Sequence, residues 1–348
     1  MIMTQTSAEE APIRWGILGP GRIAENVAAD FVHVHGGRLV AVGSRSRDRA
    51  EGFSKTFSGG GPRSVTDDPI RVHGSYADLL ADPEVDAVYI ATPHAQHAAN
   101  AIATVRAGKA ALVEKAFTAT YPGAVAVVEA ARSAGVFVME AMWTRFQPAV
   151  VRARELIADG AIGEVRAVSA DLGVRRDFDP NDRLFNLALG GGTLLDLGVY
   201  VVSFAQMVLG EPVDVVARGS LLPTGVDAEA GLLVDFGEGR TANLVTSFRA
   251  PTPGDARIYG TDGWIDLPPR FHHPKELHLY RYNREPIIES YHTAGVGYSY
   301  EFEEVNACLA AGATESSIMP TSDTLAVQSV LQSAADQLGV ALGDEPFE

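Results

Sequence analysis

The feature that most constrains the fold is a glycine-rich turn between a buried strand and a helix near the start of the chain. The apolar run Ile13–Leu18 leads directly into Gly19-Pro20-Gly21-Arg22-Ile23-Ala24, which fits the pattern G-x-G-x-x-A. The first glycine permits a tight turn, the second lets the backbone approach a pyrophosphate, and the small last residue lets the helix pack closely on the strand. The amides and the positive dipole end of that helix stabilise an anion without a lysine. The turn predicts a dinucleotide site, with a purely structural turn as the alternative, and the residues assigned to it are Gly19, Pro20, Gly21, Arg22 and Ile23.

Apolar strands alternate with helical segments through the first 147 residues. Buried strands are predicted at Ile13–Leu18, Arg38–Gly43, Ala87–Ile90, Ala110–Val113 and Val136–Met139. A βαβ alternation of this kind predicts a parallel sheet with helices on both faces. Residues 12–147 are therefore predicted to form a Rossmann dinucleotide-binding domain, preceded by a small, polar and acidic tail of about 11 residues.

After about Gln147 the pattern changes from helical crossovers to strands joined by short turns. Three hairpins are predicted: 231–236 with 240–248, 257–259 with 264–267, and 277–282 with 287–291. Strands joined by tight turns pair antiparallel. Residues 148–348 are therefore predicted to form an α+β domain with a large, mainly antiparallel sheet, within an overall α/β fold class. Because helices would cover only one face of that sheet, its second face predicts a homodimer.

The charge of the chain limits its partners. The 348 residues include 28 basic and 44 acidic side chains, which gives a formal net charge of −16. This balance argues against nucleic acid as the main partner, which would need a positive face, but it leaves room for one local phosphate site. No apolar run is expected to reach the length of a membrane helix, and the first residues do not resemble a signal peptide. We therefore expect a cytoplasmic protein with no membrane partner.

The segment that follows the second predicted strand bears on the choice between NAD and NADP. An NAD site usually has an Asp or Glu there, which binds the ribose hydroxyls. Here the segment reads Gly43-Ser44-Arg45-Ser46-Arg47 and contains no carboxylate. Ser44 and Arg45 are suited to bind a 2′-phosphate through charge-assisted hydrogen bonds. The segment predicts a preference for NADP, with NAD use still possible, and the alternative is that these arginines are only solvated.

Two further groups of residues carry a family resemblance. The first comprises Ala91-Thr92-Pro93-His94, His97 and Val113-Glu114-Lys115. The second runs from Gly190-Gly191-Gly192 through Leu195-Asp196-Leu197-Gly198-Val199-Tyr200. In this order they resemble the motifs of the Gfo/Idh/MocA oxidoreductases over nearly the whole chain. The resemblance implies that Lys115 reaches the reacting oxygen, and that the cofactor is further lined by Ala91, Thr92, Pro93, His97, Glu114 and Lys115.

The chain departs from the family pattern at two positions and resembles one branch of the family in particular. Ala116 stands where the family has a proline, and Tyr200 stands where a histidine is common. Tyr200, together with residues 140–146 and 224–227, resembles the dimeric dihydrodiol dehydrogenase branch, which is NADP-dependent, and the related NADP-dependent sugar dehydrogenases. His272 stands where that branch has a substrate-pocket tryptophan.

The spacing of Asp196 and Tyr200 allows a chemical interpretation of the second motif. In a helix that runs from Thr193 to Leu209, these two polar side chains are four residues apart and share one face. A tyrosine has an ordinary pKa near 10, and a nearby Lys115 ammonium is expected to lower it. Tyr200 or Lys115 would carry the proton while Asp196 positions a substrate hydroxyl or Lys115. The alternatives are that Asp196 forms a capping box with Thr193, that Tyr200 is a core residue, and that Lys115 is an exposed lysine.

Three residues are predicted to contact substrate, and no metal site is predicted. Trp143 and Arg145 follow the last strand of the first domain, at the edge where α/β proteins bind ligands. Arg183 precedes the glycine triplet and is a weaker candidate, with a solvated arginine as the alternative. The histidine pairs lack a third ligand at suitable spacing, which disfavours a catalytic metal.

These observations together predict an NADP(H)-dependent oxidoreductase that acts on CH–OH groups. Its substrate would be a small polyol, sugar or trans-dihydrodiol. One alternative is an aldose dehydrogenase acting at C1 of xylose or glucose, or an anhydro-sugar reductase. A second alternative, from another class, is a non-catalytic NADP-binding sensor.

Overall fold

A six-stranded, all-parallel sheet is built from the first part of the chain. The structure is a computed structural model that describes residues 11–346, so nearly all of the predicted tail lies outside the described residues. The strands are β1 Ile13–Leu18, β2 Gly37–Gly43, β3 Arg71–His73, β4 Ala87–Ile90, β5 Ala110–Glu114 and β6 Val138–Ala141. They are ordered β3-β2-β1-β4-β5-β6, so the order reverses between β1 and β4. The predicted Rossmann fold is confirmed, and ligands of such sheets bind at the carboxyl edge near the reversal.

Helices pack on this sheet, and each follows a strand, so they begin at its carboxyl edge. They are α1 Arg22–Asp30, α2 Arg47–Phe57, α3 Tyr76–Leu80, α4 His97–Arg106 and α5 Tyr121–Ala134. Side-chain oxygens of Ser46, Ser75 and Thr120 cap α2, α3 and α5 by accepting from backbone amides in the first turn. The N-cap of α1 is Gly21, which has no side chain to do this. The first amides of α1 are therefore left for another acceptor.

An eight-stranded sheet is built from the second part of the chain. Its strands are β7 Val165–Gly173, β8 Asp214–Leu221, β9 Asp227–Asp235, β10 Thr241–Ser247, β11 Ala256–Gly260, β12 Gly263–Leu267, β13 Glu276–Arg281 and β14 Ile287–Ser290. They are ordered β14-β13-β12-β11-β7-β10-β9-β8, and every neighbouring pair is antiparallel except β7 and β10. The three predicted hairpins and the mainly antiparallel sheet are confirmed, whereas β8 was not predicted.

The remaining helices join the two sheets. They are α6 Pro148–Ala158, α7 Val199–Leu209, α8 Ser299–Ala310 and α9 Thr321–Leu338. Helix α8 packs on the parallel sheet, where Phe302 lies edge-on to Trp15 with ring centroids 4.7 Å apart. The Trp15 indole N–H donates to Asn306 of the same helix at 3.0 Å. The division at residue 147 stays a prediction, since a helix from beyond it completes the core of the first sheet.

The segment Leu187–Leu209 is long and apolar enough to cross a membrane by length and composition, contrary to the expectation that no run reaches this length. However, 83% of its most apolar window is buried inside the protein. It is therefore a core segment, which packs against the eight-stranded sheet and α9. The regular helix predicted from Thr193 is interrupted there by a π-helical turn, Leu194–Gly198, which precedes α7.

Candidate active site

The glycine turn after β1 has the geometry of a phosphate cradle. Gly19 has φ +93°, and a Cβ there would lie only 3.2 Å from the Ala91 carbonyl oxygen. Among residues 11–346, no heavy atom lies within 4 Å of the Cβ position of Gly21, so these residues leave the space beside the start of α1 open. Pro20 sits between the two glycines, and Arg22 and Ile23 are the first residues of α1. Uncapped amides that face open space fit the pyrophosphate of a dinucleotide.

The loop after β4 lies directly against this turn. Ala91 donates its backbone N–H to Leu18 at 2.9 Å, and Thr92 and Pro93 continue the loop. His97 is fully buried, with its Nδ1 2.8 Å from the Ala116 carbonyl oxygen and its Nε2 2.7 Å from the Thr92 carbonyl oxygen. Burial lowers the pKa of His97 to about 4. His97 therefore joins the loops after β4 and β5 rather than presenting its side chain to a cofactor.

The predicted 2′-phosphate residues lie after β2. The Ser44 hydroxyl is nearly buried and accepts from the Ser46 amide at 3.1 Å. The Arg45 guanidinium is exposed and lies 5.9 Å from the ring centroid of Tyr76, the first residue of α3. By contrast, Arg47 pairs with Glu51 one turn along α2 at 2.9 Å. Arg45 is therefore the cation of this segment that is placed to contact a phosphate at the sheet edge.

Lys115 lies at the end of β5 and brings the two family motifs together. Its ammonium donates to the Asp196 carbonyl oxygen at 2.8 Å and lies 3.7 Å from the Asp196 carboxylate. The same ammonium lies 4.5 Å from the ring centroid of Tyr200. The Lys115–Ala116 peptide bond is cis. The lysine side chain is only 14% exposed, which does not fit the alternative of an exposed lysine.

The Asp196 carboxylate is held between two cations. Besides Lys115, it accepts from the Arg183 guanidinium at 3.2 Å. Burial alone would raise the pKa of Asp196, but Lys115 and then Arg183 hold it down to about 2. The capping alternative for Asp196 is not observed, because the Thr193 hydroxyl and the Leu194 amide both donate to Asp227 instead, at 2.6 and 2.7 Å. Asp196 is therefore free to orient the Lys115 ammonium.

Tyr200 is buried against the pocket wall, and its hydroxyl accepts from the Trp143 indole at 3.1 Å. Burial raises the pKa of Tyr200 well above its usual value, and the Glu114 carboxylate raises it further. The expectation that Lys115 would lower this pKa is wrong, because burial and neighbouring carboxylates outweigh the hydrogen bond from Trp143. The raised pKa favours the neutral form of the phenol.

Further aromatic and acidic residues complete the wall, and sequence reasoning missed Tyr298 and Tyr89 among them. Trp143 stacks on Tyr298, with ring centroids 4.4 Å apart. His272 lies 5.1 Å from the Tyr200 ring, and burial lowers the pKa of His272 to about 3. Glu114 accepts from the Tyr89 hydroxyl and from the Lys115 amide. Tyr298 reaches the site from the end of a long loop, so no local sequence signal places it there.

Arg145 does not reach the pocket, contrary to the prediction of a substrate contact. It is 2% exposed, and its guanidinium donates to Asp323 at 2.6 Å and to Gln206 at 2.5 Å. The short helical turn Trp143–Phe146 directs it into the interior, opposite to the wall that Trp143 forms. Arg183, in contrast, keeps 43% of its side chain exposed while contacting Asp196. Within residues 11–346, no three His, Cys, Asp or Glu side chains are grouped to hold a metal ion.

Comparisons with known proteins agree with this geometry. Residues 13–142 match the sequence profile described as "Oxidoreductase family, NAD-binding Rossmann fold". Residues 150–266 match the profile described as "GFO/IDH/MocA C-terminal domain". A trans-1,2-dihydrobenzene-1,2-diol dehydrogenase of Xenopus tropicalis is 33% identical over 94% of this chain and 98% of its own length. A D-xylose 1-dehydrogenase (NADP(+)) of Hypocrea jecorina is 32% identical over 94% of this chain and 92% of its own.

Solved structures are similar over the same extent. An aldose-aldose oxidoreductase from Caulobacter crescentus, complexed with glycerol, superposes with a TM-score of 0.83 and 26% identity, covering 94% of this chain and 98% of its own. A 3-ketoreductase from Actinomadura kijaniata, in complex with NADP and TDP-benzene, has a TM-score of 0.78 and 26% identity, covering 97% of this chain and all of its own.

Proposed function

Because this chain belongs to the GFO/IDH/MocA family of oxidoreductases, we propose that the cluster around Lys115 catalyses NADP(H)-dependent hydride transfer. The substrate carbon would carry the hydroxyl or carbonyl group of a small polyol, sugar or trans-dihydrodiol. One observation carries the proposal: the Lys115 ammonium, the Asp196 carboxylate and the Tyr200 phenol meet at the carboxyl edge of the sheet whose glycine turn fits a dinucleotide.

The chemistry of reduction follows from the charges of these groups. NADPH held at the glycine turn after β1 would supply the hydride that the carbonyl carbon accepts. The Lys115 ammonium, held by the Asp196 carboxylate that Arg183 also contacts, stabilises the negative charge that develops on the carbonyl oxygen. The neutral Tyr200 phenol gives that oxygen its proton and becomes a phenolate, and in oxidation this phenolate form accepts the proton of the substrate hydroxyl. Trp143 holds the Tyr200 hydroxyl in place by donating to it.

A second candidate within the same class is an aldose dehydrogenase acting at C1, or an anhydro-sugar reductase. The xylose dehydrogenase relative and the aldose-aldose oxidoreductase structure favour it. The same catalytic residues would serve, so a panel of purified substrates distinguishes the candidates. A sensor that binds NADP without turnover is disfavoured, because it would not need a lysine and a phenol held together in this way.

Arg45 provides the test of cofactor preference. Arg45→Ala should weaken NADP binding about tenfold, through loss of a charge-assisted hydrogen bond to the 2′-phosphate, and leave NAD binding nearly unchanged. Titration calorimetry with both dinucleotides measures this. Arg47→Ala is the matched control, since Arg47 already pairs with Glu51. Equal weakening of NADP and NAD by Arg45→Ala would count against NADP as the preferred cofactor.

The proposed homodimer is supported by the open face of the eight-stranded sheet. Val216 and Leu233 are paired across β8 and β9, Val245 lies diagonally from Leu233 on β10, and the three are 45–49% exposed. A charge buried there would have no partner, so Val245→Asp should convert a dimer to a monomer. Multi-angle light scattering measures this, with Val32→Asp near α1 as the control. A wild-type chain that is monomeric at micromolar concentration would refute the homodimer.

We also propose a cytoplasmic location. The one cysteine of the chain, Cys308, forms no disulfide. This fits a reducing compartment. Cell fractionation with an antibody to the protein checks the location.

A further inference from the structure

A short acidic segment near the end of the described residues crosses the edge of the parallel sheet. This tail segment, Gly343–Glu345, is anchored at two helix starts. Asp344 accepts from the Ala119 amide at 2.9 Å and from the Thr120 hydroxyl, which is the N-cap of α5. The Glu345 amide donates to the Ala95 carbonyl oxygen at 2.6 Å. Its carboxylate accepts from the Gln96 side chain at 2.7 Å.

These anchors place Glu345 beside the predicted adenosine site. Gln96 lies in the short helical turn that follows β4, Arg45 follows β2, and Tyr76 follows β3. In this fold the adenosine half of a dinucleotide lies over the strand ends beside β2, and the loop after β4 is two strands away, across β1. Burial raises the pKa of Tyr76, Arg45 lowers it, and Glu345 raises it. Arg45 and Glu345, which carry opposite charges, therefore shift the pKa of the same phenol in opposite directions.

The surroundings of the tail segment also contain an unused acceptor. Gln96 is 4% exposed, and its Oε1 has no hydrogen-bond partner among the described residues. Its Nε2 is already used by Glu345. A buried amide oxygen without a donor costs free energy, and the 6-amino group of adenine is a donor that would remove this cost. The Glu345 carboxylate and the Gln96 Oε1 are thus polar groups that could line one side of a binding pocket.

We propose that the tail segment forms the outer wall of the adenosine pocket and that Glu345 limits the discrimination between NADP and NAD. The loop after β4, to which Glu345 is bonded, lies two strands from β2 and Arg45, about 10 Å across the sheet, so the Glu345 carboxylate would repel the 2′-phosphate that Arg45 attracts. NAD lacks this phosphate and is not repelled. The inference rests on the NADP-dependent function proposed above and deepens it.

Glu345→Gln in the full chain tests the charge. The dissociation constant for NADP should fall about two- to fivefold while that for NAD stays constant, and added salt should reduce the gain. Titration calorimetry with each dinucleotide gives both constants. Glu129→Gln, which removes an exposed charge from α5, is the control and should change neither. An unchanged ratio of the two constants in Glu345→Gln would overturn the role of the charge.

Gly123→Ala tests the wall without changing any residue of the tail segment. A Cβ on Gly123 would overlap the Asp344 carboxylate, so the segment must move away. Both dissociation constants should rise about three- to tenfold, with kcat at saturating cofactor within about twofold of wild type. Asp344→Ala removes the same anchor from the other side and should act alike. If both variants bind both dinucleotides like wild type, the tail segment does not form a wall of the pocket.

The outcomes of these experiments distinguish a failure of this inference from a failure of the proposed NADP-dependent function. A wild-type chain that binds NAD more tightly than NADP contradicts the proposed cofactor preference. A rise of both constants in Gly123→Ala would then still support the wall. Normal NADP preference with no response to any of these variants contradicts the inference alone.

Discussion

Replacing Lys115 by alanine is expected to lower kcat about 10³-fold, with little change in NADP affinity. The Lys115 ammonium lies within 4 Å of the Asp196 carboxylate and next to the Tyr200 ring, so its loss removes the positive charge from the place where the substrate oxygen becomes negative. The glycine turn and Arg45 are untouched by this change. Steady-state kinetics and calorimetry on the same preparation measure the two effects.

The Lys115→Ala variant should fold, because Asp196 keeps the Arg183 guanidinium as a partner. Lys275→Ala, at an exposed position, is the control for loss of a lysine and should retain wild-type kcat. A Lys115→Ala enzyme that turns over like wild type would remove Lys115 from the proposed chemistry. A large loss of NADP affinity would instead give Lys115 a cofactor-binding role.

Replacing Tyr200 by phenylalanine should lower kcat about 10²- to 10⁴-fold, because it removes the proton donor and keeps the ring. The Trp143 indole then loses its acceptor, which should cost about 1–2 kcal/mol of folding stability. Thermal unfolding measures that cost. It also shows that the enzyme is folded at the assay temperature.

The pH dependence of the same variant tests the state of the phenol. Because burial and Glu114 raise the pKa of Tyr200 well above its usual value, the phenol stays protonated through the neutral range. The ratio of wild-type to Tyr200→Phe kcat in the reduction direction should therefore be constant between about pH 6 and pH 9. A ratio that falls with rising pH in this range would mean that Tyr200 ionises there and acts as a base.

The sequence allowed the fold to be predicted where local patterns decide it. Buried strands such as β4 and β5 are continuous apolar runs, and the glycine turn after β1 has a specific steric cause. Strand β8 was not predicted, because polar residues and Gly219 interrupt its apolar residues and leave no clear pattern in the sequence. The spacing of Asp196 and Tyr200 also predicted that both side chains lie near Lys115, although a π-helical turn replaces part of the regular helix between them.

What could not be predicted depends on contacts between distant segments. Arg145 is two residues from Trp143, but its direction is set by Asp323 and Gln206, which lie far along the chain. The pKa of Tyr200 is set by its burial and by Glu114 from another element. Tyr298 and Glu345 follow the second sheet in the chain, yet they contact Trp143 and Gln96 of the first domain. The spacing of residues along the chain therefore predicts neither the sign of a pKa shift nor the direction in which a buried cation points.

The absorbance of reduced nicotinamide tests the central claim most directly. NADP⁺ and the enzyme are mixed with a panel of polyols, aldoses and trans-dihydrodiols, with Lys115→Ala measured in parallel. We predict that absorbance rises with at least one of these classes, faster with NADP⁺ than with NAD⁺, and that Lys115→Ala gives almost no rise. Tight binding of NADP⁺ without any absorbance change across the panel, in either reaction direction, would contradict the proposed enzyme and support a sensor.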